Sequence, residues 1–333
     1  MNAAWRRALT VLFTVAVAAG IGLALRGQDW SVLAQLLHPG SVPALLGAVL
    51  VTAAGLLCGT RAWMLTLSAV AVPVPAPTGV RMFFVGFLGK FVPGRVWGLI
   101  AQMRMGEQAG ASKAQMAGTY VVNLVVVLLT GGAVGMLVAP ALFDHGLWWT
   151  PLPLVPLAVL LARPDLVHRC AALAARVARR RPPPSPGRPR DLRRSLLYQT
   201  ASWVLSGLHV WVTALLLGAD PLPALPAAVG GFALATVGGT LAVFAPDGAG
   251  VRELMLVPAL ATVLPLPAAL TTALVSRVLT LVAELATSGV ALGAAALHGR
   301  RTSPSPSPSS ASPSSPLPSP SPSPVSLRKE PSA

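Results

Sequence analysis

Between Lys113 and Asp144 the chain runs without one charged residue. The part from 115 to 139 is predominantly apolar, and about 20 such residues in a helix cross the hydrocarbon core of a bilayer. Comparable runs stand at 8–25, 42–60 (continuing towards 70), 147–163, 195–218 and 268–298. Charged residues make up only 11% of the 333, and mean hydropathy is +0.68. A soluble domain carries roughly a quarter charged residues, so this chain has too few to cover a soluble surface. The reading is an all-α polytopic membrane protein with about six full transmembrane helices.

The first run follows Arg6 and Arg7 like a signal peptide, but its length and the spans that follow favour a retained first helix. Cys58 and Cys170 have no partner spacing, and a disulfide is not expected. The histidines at 38, 145, 168, 209 and 298 are scattered without a ligand pattern, so neither a metal nor a cofactor is expected. A formal net charge of +15 would point to nucleic acid in a soluble protein. Here the cations fall in short loops and tails, as the positive-inside rule produces, and nucleic acid is not the expected partner.

Two further apolar stretches, 79–103 and 225–265, are broken by Pro and Gly at "FVPG" and "FAPDGAG". Ten arginines lie between 163 and 194, and Arg300 and Arg301 follow the last span, whereas the connections at 140–150, 219–224 and 265–267 hold no Lys or Arg. Placing every basic segment in the cytoplasm, both termini included, requires each broken stretch to leave by the face it entered. The expectation is two re-entrant hairpins from opposite faces of the plasma membrane. Their sequences also match, "GFLGKFVPGRVWGLIAQM" from Gly86 with "GTLAVFAPDGAGVRELML" from Gly239, and each is followed by a long span in which Asn123 falls opposite Arg277. This is an inverted repeat with halves at about 79–139 and 225–298, bringing the count to 7–9 hydrophobic segments. Transporters built this way bind substrate near the midplane, where broken helices of the two halves meet. The transmembrane domain is drawn at 1–301, with a basic cytoplasmic linker at 164–194. A Ser/Pro-rich tail at 302–333 is expected to be disordered.

Charges at depth are expensive, about 2.5–3.5 kcal/mol each at a helix centre, and need partners, water or an ionic ligand. Here they are Lys90, Arg95, Asp247, Arg252, Glu253, Arg277 and Glu284. Pro93 and Gly94 form the expected tip of the first hairpin; Gly248 and Gly250 let backbone N–H groups approach a ligand, and a helix N-terminus following them favours an anion. Arg277 and Glu284 share one helix face two turns apart and call for partners on other elements. Together these eleven residues make a candidate site for a phosphate-bearing head group. The competing reading is a closed salt-bridge network that only holds the bundle together. Arg61 is placed at an interface beside Trp63, Trp148 and Trp149 in an outer belt, and "LLTGGAVG" in close helix packing.

"GKFVPGRVWGL" with "GASKAQMAGTYVVN", and "FAPDGAGVRELMLVPAL" with "LVSRVLTLVAEL", resemble the lysylphosphatidylglycerol synthase transmembrane-region family, also called flippase-like integral membrane proteins, over roughly 5–298. The more specific motif is P-x-G-x-G-x-R-E, here Pro246, Gly248, Gly250, Arg252 and Glu253. The resemblance implies a membrane region that moves a phospholipid between leaflets, with membrane lipids as partners and a separate lipid-modifying enzyme as a further one. It does not extend to synthase activity, because a tail of this length leaves no room for the soluble transferase domain. The chain is therefore expected to be a lipid translocase rather than an enzyme, with the buried carboxylates available to carry coupling protons. The alternatives are an enzyme acting on a lipid-linked substrate such as a polyprenyl-phosphate-sugar, and a membrane scaffold.

Overall fold

Proline, serine and aspartate set where the helices begin. The chain's computed structural model describes residues 36, 38–91, 96–142, 154–163, 166, 169, 189–242, 246–248 and 250–302. The expected span at 8–25, the start of that at 147–163, Pro93, Gly94, Arg95, Trp148, Trp149, Cys170, most of the basic linker and the tail after 302 lie outside these residues. The described helices are α1 (Val42–Val70), α2 (Ala76–Leu88), α3 (Val96–Gln108), α4 (Lys113–Gly135), α5 (Leu154–Ala162), α6 (Pro189–Leu216), α7 (Pro221–Leu241), α8 (Val251–Ala261) and α9 (Leu266–Thr302), with a one-turn helix at Ala139–Leu142. No described residue is in a strand.

Helix α4 starts where Ser112 and Gln115 form a reciprocal capping box, satisfying two backbone donors that the helix leaves open. Helix α6 begins at Pro189 rather than at 195, so the end of the expected linker is helical. Pro189 stands at its first position, and Asp191 lies in its first turn, where a negative charge complements the helix dipole. The segments Pro39–Val70, Lys113–Val138, Pro221–Leu241 and Leu266–His298 are long and apolar enough to cross a membrane. The third of these lies in a stretch expected to be broken midway. The break comes after Leu241, so α7 runs 21 residues before α8 adds 11.

Helix α6 is the central one, and its sequence explains why. Ser195, Gln199, Ser202, Ser206, His209 and Thr213 recur at alternating spacings of four and three and draw a polar line along it. In lipid such a line must face protein. Its first part faces α1, where Gly55 and Gly59 bring Ser206 and Ser202 close to the α1 backbone. Ser195 Oγ donates to the Ala62 carbonyl at 2.8 Å and lies 2.8 Å from Thr66 Oγ1. Small residues at a helix contact permit this close approach, and hydrogen bonds then add to it. Gly131 and Gly135 of α4 likewise pack against Trp203, Val237 and Leu234. Trp63 is buried, because its face of α1 meets α2, where its ring lies 5.9 Å from that of Phe83. Arg61 is exposed.

Helices α2 and α3 pair as one hairpin, with the turn Gly89–Phe91 at the end of α2; α7 and α8 form a second, with Pro246–Gly248 between them. Each closes on a pair of glycines nine residues apart. A methyl group at Gly89 would lie 2.5 Å from Gly98 Cα, and one at Gly248 would lie 2.5 Å from Gly239 Cα, so neither position accepts a side chain without moving backbone. A methionine-rich cluster, with Met64, Met82 and Met116 at its centre, surrounds the first hairpin. A cluster built from Val210, Phe232, Leu256 and Ala273 surrounds the second. The two turns touch each other.

Candidate functional site

The chain reverses sharply where Asp247, Gly248 and Gly250 have φ of 48°, 68° and 83°. An aspartate tolerates this left-handed conformation better than most residues, since its short polar side chain can bond locally. Here Arg277 of α9 holds it from outside. The Arg277 guanidinium donates to the Asp247 carbonyl at 3.1 Å and lies 3.3 Å from Asp247 Oδ2. Arg252, one turn into the site from α8, lies 3.6 Å from the same oxygen. From the first hairpin, Lys90 reaches Asp247 Oδ1 at 3.2 Å and donates to Glu284 Oε1 of α9 at 2.6 Å. Glu253 lies 3.8 Å from Arg277 and accepts the Gly250 N–H at 2.8 Å.

Six of the sequence-derived charges therefore meet in one cluster. Lys90, Arg252 and Arg277 face Asp247, Glu253 and Glu284, three cations against three carboxylates. Arg277 and Glu284, two turns apart on α9, each find their partners on other elements. The side chains of Glu284 and Arg252 are each 10% exposed, and that of Lys90 is 17% exposed. Aromatic faces complete the surroundings: Lys90 Nζ lies 4.3 Å from the centre of the Phe87 ring and 5.0 Å from that of Phe91, and Arg252 lies 5.4 Å from that of Phe232. Pro93, Gly94 and Arg95 fall outside the described residues. Gly248 is packed against Gly239 instead of facing open space, and the N–H at the start of α8 is already taken by Glu253.

A small cavity lies beside the cluster. The space between Phe232, Arg252, Glu253, Leu256, Ser276 and Arg277 admits the centre of a water-sized sphere over about 10 Å³, room for roughly one water molecule. The cluster's cations have the protein's own carboxylates as counter-ions. Among the described residues no group of His, Cys, Asp and Glu could hold a metal ion.

Sequence reasoning missed His209. Its side chain is fully buried, with Nε2 2.7 Å from Ser276 Oγ and 3.4 Å from Thr280 Oγ1, and Nδ1 against the Ser206 carbonyl. Its ring stands edge-on to Phe232 at 5.0 Å, and Phe232 also contacts Arg252. Histidine spacing carried no signal, but the periodic line of polar residues on α6 did.

Helices of membrane-crossing length around a buried, charge-balanced ion cluster define a multi-pass α-helical membrane protein. Compared with known families, residues 8–287 match the lysylphosphatidylglycerol synthase TM region, and the chain belongs to that family. Comparison with curated proteins finds no match.

Proposed function

We propose that the protein is a lipid translocase whose site is the ion cluster between the hairpin turns. Family membership supports a role in lipid metabolism or movement. The contact that carries the reading is Lys90 with Asp247, which joins the turns of the two hairpins. In this reading the hairpins are re-entrant, enter from opposite faces and belong to one transmembrane unit over 1–301. The protein lies in the plasma membrane with its basic segments in the cytoplasm. When the turns part, Lys90 exchanges its carboxylate partners for the phosphate of a head group, which Arg252 and Arg277 also face while staying with Asp247, with Arg95 close by in sequence. Separating a buried pair without such a replacement costs about 3–5 kcal/mol, so the closed state persists until an anion arrives. The protein catalyses no bond-making in this scheme and needs no cofactor. A lipid-modifying enzyme, acting separately, supplies or consumes the lipid.

The balance of charges also favours a second reading, a network that only holds the bundle together. Leaflet distribution of labelled phospholipids in proteoliposomes separates the two. The translocase moves an anionic or aminoacyl lipid, and Lys90→Gln and Arg252→Gln abolish that movement while the protein stays folded. A structural network gives no lipid movement from folded wild-type protein.

A further inference from the structure

Glu284 differs from the other carboxylates of the cluster in how it is held. Asp247 contacts Lys90, Arg252 and Arg277, and Glu253 has Arg277 and the Gly250 N–H. Among the described residues Glu284 has Lys90 alone in ion-pair contact. Helix α9 packs against α1, α2, α6 and α8. Their charged and titratable groups towards the site are Arg252 and Glu253 on α8 and His209 on α6. Arg61 on α1 and Arg81 on α2 are exposed. Arg252 acts on Glu284 through space, but among the described residues only Lys90 is in ion-pair contact with it.

Resting on the translocase reading above, we propose that each anionic head group crosses together with one proton, carried on Glu284. When Lys90 turns to a phosphate oxygen, Asp247 keeps two arginines and Glu253 keeps its partners, but Glu284 loses its ion-pair contact and keeps only the more distant Arg252. An unpaired buried carboxylate neutralises instead of remaining charged. Glu284 therefore takes a proton from water on the side the lipid enters. When the lipid leaves and Lys90 returns, that proton is released to the other side. A phosphodiester brings one negative charge and the proton one positive, so the occupied cluster stays as neutral as the closed one.

The test uses proteoliposomes with fluorescent phosphatidylglycerol, the membrane potential clamped to zero, and a pH gradient imposed in either direction. One proton per lipid shifts the steady-state leaflet ratio by up to about tenfold per pH unit, reversing with the gradient. Glu284→Gln removes the dependence on gradient direction, whatever its absolute rate. Lipid movement by the wild type with the same ratio in both gradients overturns proton coupling and leaves the translocase standing. No movement at all removes both. A second measurement needs no variant: short-chain phosphatidylglycerol, or its deacylated head group glycerophosphoglycerol, is added to purified protein in weak buffer. Uptake of about one proton per bound molecule supports the proposal, with the head-group arm showing whether the phosphate alone suffices. Binding of short-chain phosphatidylglycerol without uptake overturns it.

Discussion

Lys90 Nζ stands 2.6 Å from Glu284 Oε1, 194 residues further along the chain. The contact joins the turn of the first hairpin to the last helix, and Lys90 carries it on to Asp247 in the turn of the second. One ammonium group thus connects three segments that meet nowhere in sequence.

Replacing Lys90 by Met leaves Glu284 buried without a counter-charge. The expected loss is about 3–5 kcal/mol, the cost of breaking a buried pair from one side. Lys90→Met combined with Glu284→Leu removes both ends and recovers a large part of it. Unfolding midpoints of the singles and the double in detergent, arranged as a double-mutant cycle, measure the coupling.

Asp247→Asn and Glu253→Gln separate a central carboxylate from a peripheral one. Asparagine tolerates the left-handed backbone as aspartate does, so Asp247→Asn tests charge alone. It leaves Arg252 and Arg277 without their shared partner, and a loss of at least about 3 kcal/mol is expected. The Glu253 side chain is 36% exposed and its contact is long. Gln also retains an acceptor for the Gly250 N–H, so less than about 1 kcal/mol is expected. Equal losses in chemical denaturation would contradict this ranking.

Gly89→Ala is expected to destabilise by about 1–3 kcal/mol, because the added methyl group meets the Gly98 backbone, which has no room to give. Gly47→Ala meets nothing within 4 Å and is expected to be neutral or slightly stabilising in its helix. Thermal midpoints of the two variants should therefore move differently, with only the first falling clearly below wild type.

Ser276→Ala removes the nearest partner of His209 Nε2 and leaves Thr280, at 3.4 Å, as the remaining hydroxyl. A loss of about 1–3 kcal/mol is expected for the under-satisfied imidazole. Ser276→Thr keeps the hydroxyl and should lose less, which denaturation of the pair would show.

Membrane residence, helical class and the positions of α1, α4 and α9 were legible in the chain, because a bilayer sets a length and penalises charge. The second helix break was legible too, because the Asp-Gly-Ala-Gly run after Pro246 suits a backbone with positive φ, and a charge in an apolar run needs a reason. Helix α6 was only half legible. Its Ser and His positions lower its apolarity, and their meaning emerges only when α1 and α9 cover them. Nothing in the sequence paired Lys90 with Glu284, placed Arg277 on the Asp247 carbonyl, or set Gly248 against Gly239. Sequence determined which groups had to be neutralised in a medium that cannot solvate them. Tertiary structure decided which charge neutralises which, because that depends on distances of a few ångströms between segments far apart along the chain.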